Sequence, residues 1–208
     1  MAMELTSKTL RAGEPIPAAH AMGVPGANGP EPGPNRSPHL AWSKVPAGTL
    51  SFALICVDVD APSKADDVNK SDRTVPYDLA RADFYHWVLI DIPKHITELA
   101  EGLDADGLVA KGKPAERCPY GLRGLNDYTA WFAGDPDMAG HYAGYDGPWP
   151  PFNDERRHRY RFQVYALDVE SLGLSGHFAG PDVRRAMKGR ILAQAEIETT
   201  YALNPNAR

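Results

Sequence analysis

The sequence predicts a mainly β protein, on three observations. Its 19 glycines and 19 prolines gather at 23–38 and 140–151, which marks loops separating ordered runs. Three runs between such loops, 49–60 (TLSFALICVDVD), 84–93 (FYHWVLIDIP) and 157–168 (RHRYRFQVYALD), are rich in β-branched and aromatic residues. Each stops at a proline or an acidic turn, as strands do. Towards the C-terminus the apolar period changes from helical to two, so one short helix is expected to feed a final strand.

Taken in order, the first run carries Asp58 and Asp60 two apart, which puts both carboxylates on one strand face. Pro62 then ends the ladder, because it has no N–H to donate. The stretch 63–83 is polar and charged and reads as a surface excursion, an insertion with room for a short helix; long surface loops cost little. In the second run Phe84, His86, Val88 and Ile90 alternate with Tyr85, Trp87, Leu89 and Asp91. Both sets are largely apolar, the pattern of a central strand covered on each side. In the third run Arg157, Arg159, Arg161 and Gln163 share one face, which reads as solvated. His158, Tyr160, Phe162 and Val164 share the other, which points to a core. Gly180-Pro181-Asp182 opens a helical pattern with Val183, Met187 and Ile191 on about one face. From Ala193 the residues Ala193, Ala195, Ile197, Thr199 and Tyr201 alternate with polar ones.

At 208 residues the chain is expected to form one domain, 1–208, large enough to bury a core without disulfides. A net charge of −5 argues against nucleic acid as the partner, since duplex binding needs a basic surface that releases counterions. No run approaches the length of apolar chain that spans a bilayer. The N-terminal residues show no secretory pattern, so a cytoplasmic location is expected. Cys56 reads as a buried hydrophobe and Cys118 as a loop residue; no disulfide is expected between them.

Polar groups on a core-facing side need partners, and that makes His158, Tyr160 and His86 candidates. For a lone histidine beside apolar neighbours a satisfied core position is the commoner outcome, and for Asp58 and Asp60 a simple strand end. A functional reading requires the ends of the three strands to meet in space, which spacing alone does not establish.

The residues are similar, in order along nearly the whole chain, to the phosphatidylethanolamine-binding proteins, in particular the bacterial branch called Raf-kinase-inhibitor-like. The similarity starts at Glu4-Leu5-Thr6-Ser7 and Asn35-Arg36-Ser37-Pro38-His39-Leu40-Ala41-Trp42, and continues through Val45-Pro46-Ala47-Gly48-Thr49. It includes Asp58-Val59-Asp60-Ala61-Pro62, with Val59 where the family has proline, then His86-Trp87 and Gly144-Tyr145-Asp146-Gly147 with Pro150-Pro151. It closes on His158-Arg159-Tyr160 and Tyr165-Ala166-Leu167-Asp168. The stretch 63–83 is longer than the bacterial branch leads one to expect, and Asn126-Asp127-Tyr128-Thr129 follows the family pattern only loosely.

The resemblance implies antiparallel sheets packed together, short peripheral helices, and a small cavity for an anion such as phosphate, acetate or a phosphoryl head group. Carried over residue by residue, its lining is Asp58, Asp60, Pro62, His86, Pro151, His158 and Tyr160, with Gly147 in the rim loop. A carboxylate beside an imidazole favours the imidazolium, so Asp58 or Asp60 is expected to orient and charge His86. The resemblance further implies a binding or regulatory module without a cofactor, a protein partner such as a kinase or protease, and pairing as homodimers. The rival reading is a metal-dependent hydrolase using the His/Asp cluster. Against it stand the lack of a tight ligand spacing such as H-E-x-x-H and of a nucleophile elbow. The expectation is therefore a non-enzyme with no bound metal.

Overall fold

The computed structural model describes residues 2–208. In chain order its elements are β1 (Glu4–Thr6), β2 (Gly23–Gly26), β3 (Gly29–Pro32), β4 (Leu40–Ser43), β5 (Ser51–Pro62), β6 (Arg81–Pro93) and β7 (Glu98–Leu99). There follow β8 (Arg117–Cys118), β9 (Gly121–Arg123), α1 (Tyr128–Trp131), β10 (His158–Leu167), α2 (Gly180–Ala186) and β11 (Ile191–Tyr201). The fold is mostly β, and all pairings between named strands are antiparallel.

The three strongest runs in the sequence become the centre of a six-stranded sheet of order β11-β10-β5-β6-β9-β8. Phe52, Leu54 and Cys56 of β5 face one core, with Trp87, Leu89, Phe162, Val164 and Ile197. The three-stranded sheet β1-β4-β7 closes that side through Leu40, Trp42 and Leu99. Ala53, Ile55 and Val57 face a second core, covered by Val183 and Met187 and by Phe178 just before α2. Two covered faces explain why β5 lacks a polar stripe until Asp58. Each fully buried large side chain, such as Phe52 or Phe162, contributes roughly 1.5–3 kcal/mol by leaving water.

The C-terminal expectation is met with one change. Pro181 sits in the first turn of α2, and Asp182 accepts a hydrogen bond from the Ala179 N–H (3.0 Å). Val183 and Met187 are buried as their spacing predicts, but Ile191 is not part of that face. Gly189 at φ +78° turns the chain, and Ile191 opens β11 in an exposed position.

Two further expectations change. The stretch 63–80 holds turns and no helix, and Arg81 already belongs to β6. The face assignment in β6 is broken by a β-bulge: Cys56 pairs with Trp87 and Val57 with Tyr85, leaving His86 as the additional residue. A bulge shifts the alternation by one. Tyr85 therefore joins Val88 and Ile90 on the α2 side, and His86 leaves that set for the side of Trp87. A second irregularity, between the pairs Asp58↔Phe84 and Ala61↔Ala82, separates Asp58 from Asp60. No helix among the described residues is long and apolar enough to cross a membrane.

Candidate functional site

Both bulges shape a cavity of about 330 Å³ where the end of β5 meets the starts of β6 and β10. Its buried end is formed by Asp58, His86, His158 and Tyr160, each at most 3 % exposed. Phe84, Tyr128, Phe132, Trp149 and three prolines, Pro62, Pro150 and Pro151, form apolar walls. Towards the open end lie Trp131 of α1 and four residues of the 63–83 stretch, Lys64, Ala65, Val68 and Asn69.

The two histidines differ in what holds them. His158 donates from Nδ1 to Asp58 Oδ2 (2.6 Å) and from Nε2 to Asp154 Oδ2 (3.0 Å). Burial alone pulls the pKa of this imidazole down; the Asp58 charge and the hydrogen bonds to Asp154 and Asp58 outweigh burial and push it up to about 9. It is an imidazolium at neutral pH with both N–H groups committed. Arg81 grips the same Asp154 with a two-pronged contact (2.6 and 3.0 Å). Burial would raise the Asp154 carboxyl, but His158 and Arg81 hold it below the usual range.

His86 is oriented otherwise. Its Nδ1 donates to the Asp146 carbonyl oxygen (2.9 Å), because a carbonyl only accepts. Its Nε2 forms no hydrogen bond among the described residues. Burial lowers the His86 pKa, and the partial offset from Asp58 and Asp146 does not restore it. The expectation that an aspartate orients and charges His86 is thus corrected: a peptide carbonyl orients it, and it is neutral. The reason is the bulge, which aims Nδ1 at the 144–147 loop while Asp58 is engaged by His158.

Among the described residues the buried Tyr160 hydroxyl meets no partner at full hydrogen-bond geometry, although the Asp58 carboxylate lies near enough to interact with it. Burial, and then the Asp58 charge, push its pKa well above 10, so it remains a neutral donor. Its ring lies edge-on to His86, with centroids 5.2 Å apart.

Of the sequence-derived residues, Asp58, Pro62, His86, Pro151, His158 and Tyr160 line the cavity, and Asp60 and Gly147 do not. The Asp60 carboxylate is turned to the Arg side of β10, where it accepts from Arg159 Nε (2.7 Å), Arg159 Nη2 (3.1 Å) and Arg156 Nη1 (3.2 Å). Burial would raise its pKa, but these arginines keep it lowered. The arginine run is therefore more than a solvated surface, although Arg157 and Arg159 are exposed. Gly147 lies behind the wall: its N–H donates to Asn35 Oδ1 (2.8 Å) and its carbonyl accepts from the Tyr128 hydroxyl (2.8 Å). A Cβ there would stand 2.0 Å from the His20 carbonyl oxygen, so close backbone approach demands glycine.

Sequence reasoning missed Asp146 and Asp154. Asp146 accepts from Asn35 (2.8 Å), Asn126 (2.9 Å) and Lys113 (3.1 Å), which fixes the loop whose carbonyl holds His86. Neither aspartate lies in a periodic run; Asp146 stands in the Gly144-Tyr145-Asp146-Gly147 motif of the resemblance but was given no role, and Asp154 was not marked at all. The aromatic wall residues Tyr128, Trp131 and Phe132 were passed over because the segment around them carries no strand or helix period. Both cysteines are free thiols. No group of three or more His, Cys, Asp or Glu side chains among the described residues is placed to hold a metal ion.

Comparison with known proteins agrees with this architecture. The family model described as phosphatidylethanolamine-binding protein matches residues 6–202. An Aquifex aeolicus UPF0098 protein is 35% identical over 199 residues, covering 96% of this chain and 88% of that protein. The Escherichia coli UPF0098 protein YbhB is 32% identical over 201 residues, covering 96% of this chain and all of that one (100%). The crystal structure of E. coli YbcL, described as a member of the mammalian PEBP family, superimposes with a TM-score of 0.69 at 27% identity, covering 97% of this chain and 99% of that one.

Proposed function

This chain belongs to the phosphatidylethanolamine-binding protein family, and on that premise we propose that it is a binding protein whose cavity takes an anionic phosphoryl or carboxylate group attached to an apolar body. The observation that carries this reading is the pair of uncommitted polar atoms at the buried end, the Tyr160 hydroxyl and His86 Nε2. A buried hydroxyl short of a full hydrogen bond costs free energy, and an oxygen-rich ligand would relieve that cost. The walls of Phe84, Phe132, Trp149 and prolines favour an apolar group behind the anion.

Neutral His86 meets such a group by sharing one proton with it. Either a phosphoryl O–H donates to Nε2, or Nε2 takes the proton and donates to the dianion. Both routes take up a proton relative to the free dianion, so affinity rises as pH falls through neutrality towards the lowered His86 pKa. His158 supports the site from behind by holding Asp58 and Asp154 in place. A metal-dependent hydrolase needs lone pairs on its histidines, and His158 donates from both nitrogens.

Titration of inorganic phosphate by calorimetry tests the reading. Wild type should bind more tightly at pH 6 than at pH 8, and His86→Ala should lose about tenfold or more in affinity, the worth of one hydrogen bond to a charged group. Equal affinity of wild type and His86→Ala would sink the assignment.

A further inference from the structure

The buried end of the cavity holds no spare positive charge. The His158 imidazolium lies between Asp58 and Asp154, and Arg81 compensates Asp154. His86 is neutral. An anion entering this end must find its counter-charge elsewhere. Lys64 lines the open end, is exposed, and forms no ion pair among the described residues. It stands on the 63–80 stretch, with Ala65, Val68 and Asn69 lining the cavity beside it.

That stretch has no helix or ladder; turn hydrogen bonds such as Val68 N–H to the Ala65 carbonyl (3.1 Å) hold parts of it, and one buried side chain ties together several of its remaining backbone groups. The two N–H bonds of Asn153 Nδ2 are shared among the carbonyls of Asp67 (2.8 Å), Lys70 (3.0 Å) and Arg73 (2.8 Å), and its Oδ1 accepts from the Asn69 N–H (3.0 Å). Asn69 Oδ1 accepts in return from the Phe152 N–H (3.2 Å). Farther along, Val75 pairs with Asp154 as an isolated bridge, and Arg81 closes the stretch on the Asp154 carboxylate. The turn 152–154 therefore holds the open-end wall and, through Asp154, the His158 side of the buried end.

We infer that the 63–80 stretch is the specificity element of this cavity, with Lys64 supplying its standing positive charge and Asn153 positioning it as a wall. This rests on the anion reading above and deepens it. The stretch selects phosphomonoesters that carry an apolar body over bare phosphate, because Ala65 and Val68 complete the apolar wall while Lys64 compensates the charge. Lys64 acts across solvent, so its effect is screened by salt.

The test uses inorganic phosphate and phenyl phosphate as paired ligands. Wild type should prefer phenyl phosphate about tenfold, from burial of the ring. Lys64→Met should weaken both ligands about fivefold at low salt and less in high salt. Asn153→Ala should cut the preference to about threefold, what the fixed aromatic walls sustain alone, while phosphate affinity, read through His86, stays within about threefold. Amide hydrogen exchange gives a ligand-free measure: residues 67–75 should exchange about tenfold faster in Asn153→Ala, the loss of one or two net hydrogen bonds. Unchanged binding in Lys64→Met overturns the charge role, and an unchanged preference or unchanged exchange in Asn153→Ala overturns the positioning role. Failure of the anion reading is seen separately, as His86→Ala binding phosphate like wild type. Wild type binding neither ligand overturns both readings.

Discussion

His86 and His158 sit at the same end of one cavity, on neighbouring parts of one sheet, and have opposite electrostatic fates. His158 starts β10, keeps the alternation of its strand, and meets a carboxylate on each ring nitrogen. His86 is the additional residue of a bulge in β6 and meets one peptide carbonyl. Burial disfavours the charged form of both; only His158 has enough negative neighbours to overcome it. The more strongly ionised histidine is therefore the less available one. Charge in this site serves the framework, and the free lone pair belongs to the neutral ring.

The largest expected effect breaks the His158 side of this comparison. His158→Ala leaves Asp58 and Asp154 buried with a partner missing, and breaking a buried pair in this way costs about 3–5 kcal/mol. Urea unfolding at pH 7 measures it, and a loss below about 1 kcal/mol would mean that the cluster is not a framework. Next comes pH. A group with a folded pKa of about 9 against the ordinary 6.5 stabilises fully below pH 6.5, and that stability is lost as pH rises through 9. The loss is on the order of 3 kcal/mol, to be read from urea midpoints between pH 6 and pH 9.5 and to be reduced in His158→Ala.

His86 should show the reverse sign. Its lowered folded pKa means that unfolded chains take up the proton more readily, so its contribution is lost as pH falls below 6.5. His86→Ala should cost only about 1–2 kcal/mol, a neutral hydrogen bond and some ring packing, and should shift any phosphate-dependent rise in Tm to about tenfold higher phosphate. The smallest effect lies on the solvated face of β10. Arg161 pairs with Glu198 (2.8 Å) at about one-third exposure, and Arg161→Gln should change stability by less than about 0.5 kcal/mol. A larger change would show that this face shares in the framework.

Much of the fold was legible because burial imposes a period on a strand. The face of His158, Tyr160, Phe162 and Val164 follows from alternation, as does the inward set from Ala193 to Tyr201, which packs against the same core. Alternation failed where the backbone inserts a residue. It placed His86 with Val88, and it kept Asp58 with Asp60, whose carboxylate is instead held by Arg156 and Arg159. A bulge leaves no mark in a run such as FYHWVLID, since each residue suits a strand on either face. The roles of the loop residues Asp146, Asn153 and Asp154 were hidden for a related reason: a loop has no period, and the groups held by Asn153 and by the Asp146 carboxylate lie far back along the chain.

The sequence by itself determined a mainly β architecture, the three central strands, the late helix feeding a last strand, and a polar pair on the buried face of β10. These follow from local sterics and from which residues leave water, and both are written in neighbouring positions. Tertiary structure alone decided which histidine carries charge, which aspartate joins it, and that part of 63–80 lines the cavity, pinned by Asn153 and by the Val75 bridge to Asp154. Protonation and hydrogen bonding inside a protein depend on groups brought together from distant positions, and that proximity exists only once the sheets have packed.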